Sequence, residues 1–217
     1  MKLFTYYAEC PGISSFDALK LLAVWREKWL AAGFEPFVLN EHIARKHPYF
    51  EELNKGLERL PSQNSPEYER ACYLRHLALA QVGGGLMSDF DVFPRGGALP
   101  SGFLDWLGDQ QQLVLLQANC VCPCLFYATP AVAERVCHEF ITREFKMHEI
   151  NGKPHISDQY CLSQIVEAGA DWIQQKDCTM LWTEDGWDQR PFVHFANRVA
   201  SEKGMQPRWK FVNEVLK

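Results

Sequence analysis

Two carboxylates stand two residues apart in an otherwise apolar run, Leu86-Met87-Ser88-Asp89-Phe90-Asp91-Val92-Phe93. Read as a strand, the run turns both acids to one face, because successive side chains alternate sides. Two negative charges among apolar neighbours are costly unless something positive neutralises them. A hard divalent cation does so: Mg²⁺ or Mn²⁺ takes oxygen ligands, keeps coordination positions open and binds substrate phosphates through them. By itself the pair also fits two solvated acids where a strand runs out into a loop.

The elements around the pair follow from pattern. Leu3-Phe4-Thr5-Tyr6-Tyr7 is a β-favouring run stopped by Pro11-Gly12. Ser14 or Ser15 offers an N-cap, and from Phe16 to Ala32 apolar residues recur at helical spacing, with Gly33 placed to end the helix. Pro36-Phe37-Val38-Leu39 is a second strand. Strand, helix, strand in that order predicts an α/β domain with a parallel sheet, whose default nucleotide site lies at the carboxyl edge of the strands.

After a partly helical stretch from Glu41 to Leu60, Ser65 caps a helix with Pro66 in its first position. That helix runs through Tyr73, Leu74, Leu77 and Ala78 to Gly83-Gly84-Gly85, which permit a sharp reversal into the acidic run. Further on, the pattern predicts a strand pair (Leu113 to Leu116, Cys122 to Tyr127) and a helix from about Pro130 to Phe145. A turn-rich loop around Asn151-Gly152-Lys153-Pro154, a helix after Ser157, and short strands near Met180 to Trp182 and Pro191 to Phe195 complete the chain.

The chain has 217 residues, 47% of them apolar, enough to bury one sizeable core, so a single domain over 1–217 is expected. Twenty-two basic against 27 acidic residues give a net charge of -5, which disfavours nucleic acid as the main partner. The N-terminus turns polar within ten residues and has no signal-peptide core, and no apolar run approaches the roughly 20 residues that span a bilayer. No transmembrane segment and a cytoplasmic location are therefore expected. The eight cysteines then read as reduced thiols. Cys120-Val121-Cys122-Pro123-Cys124 carries soft metal ligands, but Leu113 to Tyr127 has the pattern of buried strand, where cysteine packs as a small hydrophobe. Core packing is the expectation there.

Arg75-His76-Leu77-Ala78-Leu79-Ala80-Gln81-Val82-Gly83-Gly84-Gly85-Leu86-Met87-Ser88-Asp89-Phe90-Asp91-Val92 resembles the motif of the sugar-binding, D-x-D-containing glycosyltransferases. That family includes α-mannosyl- and α-galactosyltransferases and the glucosylating toxins. Trp25 and Trp29, followed by Ala32-Gly33-Phe34-Glu35-Pro36-Phe37-Val38-Leu39-Asn40, are similar to its first helix and second strand. The resemblance covers roughly the first 95 residues and touches the C-terminal half at scattered points.

The resemblance implies a GT-A fold, which is Rossmann-like with a mostly parallel central sheet flanked by helices. It further implies a nucleoside-diphosphate sugar donor (a UDP- or GDP-sugar), a Mn²⁺ or Mg²⁺ ion, and transfer with retention. Asp91 becomes the direct metal ligand; Asp89 touches the donor ribose or sugar and reaches the metal through water, with a catalytic part. Arg75 sits against the donor sugar or the first Asp. His194, in Val193-His194-Phe195, closes the metal shell, and Asp158, in Ser157-Asp158-Gln159, supplies a catalytic carboxylate near the donor sugar. Thr5, Tyr6, Tyr7 and Asn40 receive the nucleotide. For several of these a plain structural part is equally compatible with the sequence: a satisfied core His194, an N-cap at Ser157 or Asp158, a surface ion pair at Arg75.

The acceptor is open among glycan, lipid-linked sugar, protein, metabolite and modified base. Three rival readings are weaker. A D-x-D phosphatase expects a later Lys and acidic pair, and a nucleotidyltransferase expects a basic Gly-rich loop where Cys10-Pro11-Gly12-Ile13 stands. A degenerate sugar-nucleotide-binding domain without turnover is the non-enzymatic alternative.

Overall fold

The fold was described from a computed structural model, which places residues 1–96, 99–117, 120–197, 204 and 207–216. Its centre is an eight-stranded sheet in the order β2-β1-β3-β6-β5-β9-β10-β4. The strands are β1 (Lys2–Tyr6), β2 (Glu35–Leu39), β3 (Gly85–Ser88), β4 (Val92–Pro94), β5 (Leu113–Gln117), β6 (Leu125–Ala128), β9 (Ile173–Leu181) and β10 (Phe192–His194). The pairs β1–β2, β1–β3, β5–β9 and β9–β10 are parallel, while β6 runs antiparallel to β3 and β5, and β4 antiparallel to β10. This is a mixed α/β fold with a largely parallel sheet.

Helices cover both faces, which is why the central strands read as continuous apolar runs. On one face α1 (Ser15–Ala31) packs Trp25 and Trp29 against Leu3, Leu86, Val114 and Leu125. The alternate residues Phe4, Met87, Leu115 and Phe126 point the other way, into a core shared with α4 (Pro66–Gln81) and α6 (Pro130–Thr142). Caps set the boundaries: Ser14 accepts from the backbone N–H of Asp17, and Ser65 from that of Tyr68, with Pro66 at the first helical position. The remaining helices are α2 (Glu41–Ala44), α3 (Phe50–Leu57), α5 (Phe103–Gly108), α7 (Asp158–Glu167) and α8 (Arg208–Val215).

Several expectations are corrected. The run from Leu86 to Phe93 is not one strand: β3 stops at Ser88, β4 starts at Val92, and both acids lie in the turn between them. The two short strands pair with different partners, β3 with β1 and β6, β4 with β10, so the chain must change direction at the acids. The cysteine run is likewise a connection, since β6 begins only at Leu125. Around Asn151-Gly152 the chain forms a two-residue hairpin between β7 (His148–Ile150) and β8 (Lys153–His155). Both turn residues have positive φ, 53° and 71°, as such tight reversals need. The strand expected near Met180 starts earlier, at Ile173, and α6 stops at Thr142. Helices α5 and α8 carried no distinct pattern.

Candidate metal and nucleotide site

One edge of the sheet gathers the polar residues. It holds the carboxyl ends of β1, β2, β3 and β10, together with the starts of β4 and β6. The turn that carries Asp89 and Asp91 is anchored from behind by α1. The indole N–H of Trp25 donates to Ser88 Oγ at 3.3 Å, and that of Trp29 to the Val92 carbonyl at 3.0 Å. The two tryptophans therefore hold the residues that flank the pair. Backbone bonds tie the turn sideways as well, Asp89 N–H to the Cys124 carbonyl at 2.7 Å and Phe195 N–H to the Asp91 carbonyl at 2.8 Å.

Arg75 projects from the middle of α4 and bridges two acids. Its Nη1 donates to Asp89 Oδ1, while Nε and Nη2 donate to Asp158 Oδ2 at 3.2 and 2.6 Å. His76, the next residue, donates from Nε2 to the same Asp158 oxygen at 3.0 Å. Burial alone would push the Asp158 carboxyl up, but Arg75 and His76 outweigh it and hold it low. Burial, against Phe126 on which it stacks and Phe140 which it meets edge-on, lowers the His76 imidazole against the opposing pull of Asp158. Ser157 caps α7 through the Tyr160 N–H, so the capping and ion-pairing parts fall to neighbouring residues. Asp158 itself is 3% exposed and turned inward onto Arg75 and His76.

Asp91 is held from the far end of the chain. Arg208, at the start of α8, donates from Nη1 to Asp91 Oδ2 at 2.6 Å and to the Phe195 carbonyl at 3.1 Å. The other oxygen, Oδ1, lies 3.4 Å from His194 Nε2 and is buried without a hydrogen-bond partner among the described residues. His194 Nδ1 is in the same condition. Burial would raise Asp91, yet the positive charges of His194 and Arg208 hold it below the usual carboxylate range. Asp91 in turn outweighs burial at His194 and pushes that imidazole above its ordinary range. Asp89 moves up, because burial and the neighbouring Asp91 exceed the pull of Arg75. About a third of the Asp89 side chain still reaches solvent, which moderates that rise.

Asp89, Asp91 and His194 offer one ligand atom each, all within 4.8 Å of one another. Ligands facing each other across a Mg²⁺ ion stand about 4.2 Å apart, so the set accommodates one with small adjustments.

Beside this group a groove of about 510 Å³ opens at the ends of β1 and β2, lined by Tyr6, Tyr7, Asn40 and Arg70 among others. Tyr7 joins the two regions: its ring meets Phe90, between the two acids, edge-on at 6.1 Å. Asn40 lines the groove while its side-chain oxygen caps α2 through the Ile43 N–H. Tyr6 is largely buried, and its hydroxyl is pushed up by burial and by Glu41. Thr5, expected beside the nucleotide, is fully buried within β1 and is not among the residues that line the groove.

The tertiary structure thus brings together Asp89, Asp91, His194, Arg75 and Asp158, and sets Tyr6, Tyr7 and Asn40 alongside. Sequence reasoning missed Arg208, which carries no motif, and His76, whose signal was only its place beside Arg75. It also set aside Cys122 and Cys124, whose sulfurs lie within the same 4.8 Å of His194.

Fold and site together define a class: an α/β domain with an acid–imidazole cluster and an adjoining groove on one sheet edge. The chain belongs to the family described as Domain of unknown function (DUF8765), whose profile matches residues 4–159. The matched span includes Arg75, Asp89, Asp91 and Asp158, and ends before His194 and Arg208. No curated protein matches the chain. Among the described residues no helix is long and apolar enough to cross a membrane.

Proposed function

We propose that this chain is a metal-dependent glycosyltransferase of GT-A type that takes its sugar from a nucleoside-diphosphate donor, with retention. One observation carries the reading: Asp89, Asp91 and His194 offer one ligand atom each within 4.8 Å, and Asp91 Oδ1 is buried there without a hydrogen-bond partner among the described residues. Buried polar atoms left so are costly and call for a partner, and a cation suits a carboxylate and an imidazole together. Arg208 occupies Asp91 Oδ2 and leaves Oδ1 facing His194, while Arg75 holds one oxygen of Asp89.

In this reading Asp91 and His194 hold Mn²⁺ or Mg²⁺ directly, and Asp89 joins them or meets the donor. The ion, when bound, supplies positive charge opposite the diphosphate, worth more as the sugar–phosphate bond breaks than before. Tyr7 and Asn40 take the nucleoside in the groove, with Tyr7 offering a ring face to the base. Asp158 acts as a positioning residue: it fixes Arg75, and Arg75 fixes Asp89.

A second reading, a domain that binds a sugar nucleotide without turnover, draws on the same arginines. They already compensate both acids, so the fold can keep the pair without an ion.

The test is thermal unfolding with UDP, GDP and their sugar conjugates, with and without Mn²⁺, for the native chain and Asp91→Asn. A ligand at 100 times its dissociation constant adds roughly 2.7 kcal/mol, a rise of about 5 to 10 °C at this chain length. A Mn²⁺-dependent rise with one nucleotide, absent in the variant, is the expected result; no rise with any nucleotide overturns the reading. Donor hydrolysis by the native chain excludes the second reading.

A further inference from the structure

We propose that Cys122, Cys124 and His194 form a second metal site, selective for a soft or borderline cation such as Zn²⁺. The two sulfurs and one imidazole nitrogen lie within 4.8 Å of one another. In a tetrahedral Zn²⁺ shell such ligands sit about 3.5 to 4 Å apart, so small side-chain rotations close the gap.

Three features separate this cluster from packed core thiols. The first is that it is not strand: both cysteines lie in the connection before β6, where Pro123 and Cys124 make a turn. The backbone at Cys124 is tied to the acidic turn through its carbonyl and the Asp89 N–H, which fixes the thiols beside β10. The second is Gln117, 4% exposed at the end of β5. Its Oε1 accepts from the Cys124 thiol at 2.9 Å and its Nε2 donates to Cys120 Sγ at 3.3 Å, so one amide orients two sulfurs. Metal binding removes the Cys124 proton that donates here, and a turn of the Gln117 amide then brings its NH₂ to the thiolate. The third is the imidazole: His194 is 9% exposed, with Nδ1 buried and unpartnered among the described residues. Simple packing of cysteine as a small hydrophobe leaves that nitrogen unexplained.

Ligand chemistry decides between the two clusters that share His194. Thiolates favour Zn²⁺, whereas the carboxylates of Asp89 and Asp91 favour Mg²⁺ or Mn²⁺. Binding breaks two S–H bonds, forms two S–metal bonds and releases both protons to solvent. Three protein ligands leave a fourth position, open to water or to Cys120 beside Cys122. Zn²⁺ on the thiolates competes with the carboxylates for the imidazole. The site stands apart from the transferase reading, because it needs no nucleotide.

The test titrates Co²⁺, then Zn²⁺, into the full chain reduced with a sulfur-free reductant and without nucleotide. The expected result is a sulfur-to-cobalt charge-transfer absorption that saturates at one equivalent and is displaced by Zn²⁺. It weakens by about 100-fold or more in affinity in Cys122→Ser and in Cys124→Ser, and persists in Asp91→Asn. Should the serine variants fail to fold, X-ray absorption of the Zn²⁺-loaded native chain decides: sulfur at about 2.3 Å supports the site. A shell of oxygen and nitrogen only, or no charge-transfer absorption in the native chain, overturns it. Loss of nucleotide binding with the cobalt absorption intact counts against the transferase reading alone.

Discussion

Arg208 reaches Asp91 across 117 residues of sequence, Nη1 to Oδ2 at 2.6 Å, from the first turn of the last helix. The bond compensates a buried carboxylate and also leaves Oδ1 as the oxygen that faces His194. The C-terminal helix is therefore part of the site.

Removing this cation should cost stability and ligand binding together. Arg208→Met leaves Asp91 buried with a weaker partner, an expected loss of about 3 to 5 kcal/mol. Denaturant midpoints measure it, and the Mn²⁺-dependent thermal rise should shrink in the same variant. Arg208→Lys should recover part of the stability; full native behaviour with Met would mean that the ion pair does not hold Asp91.

The Arg75–Asp158–His76 group predicts a pH profile. Asp158 has its carboxyl held low in the folded chain, so it stabilises the fold above its unfolded value, about 3.9. That contribution is lost as the pH falls through the lower folded value. His76 is also lowered, so its contribution is complete above about 6.5 and fades as the unfolded chain gains a proton below that. Stability should fall in two stages on acidification. Asp158→Asn should be less stable at neutral pH and should show a shallower lower stage, with Asp91 and Glu41, whose carboxyls are also held low, supplying the rest, as read from urea midpoints across the range.

Tyr7 offers a ring at the boundary between groove and acids. If it stacks on a base, Tyr7→Ala should weaken nucleotide binding by about 1 to 3 kcal/mol, roughly 5- to 150-fold, while Mn²⁺ binding alone is unchanged. Calorimetric titration separates the two. An equal loss of metal binding would place Tyr7 in support of the acidic turn instead.

Gly84 sets the approach of β3. Its φ is 75°, and a Cβ there would stand 2.5 Å from the Ala128 carbonyl oxygen and 2.8 Å from the Thr129 carbonyl carbon. Both are backbone, with little room to yield. Gly84→Ala should cost at least about 2 kcal/mol, a fall of roughly 4 °C or more in melting temperature. Gly83→Ala has a similar φ, 88°, but open space around it, and should cost less.

Much of the frame was legible because local signals agree with it. The caps at Ser14 and Ser65, Pro66 at the helix start and the three glycines that lead into β3 act within a few residues, and the structure places each where its pattern pointed. The first β-α-β unit is legible for the same reason. Where neighbours in space decide, pattern was misleading. Leu86 to Phe93 reads as one apolar run around the two acids, yet it breaks at them because β3 and β4 join distant partners, β6 and β10.

By itself the sequence determined the first β-α-β unit and the helix α4, the pairing of two acids after a glycine turn, and Arg75 one helix upstream. Only the tertiary structure decided what those acids face. Asp158, His194, Arg208 and Cys124 come from separate elements, and their meeting depends on the sheet order, which long-range pairing sets and local propensity does not. Burial then gives the meeting its chemistry. A carboxylate, an imidazole and two thiols that would be unremarkable in water become potential ligands once water is excluded and their remaining polar atoms need partners.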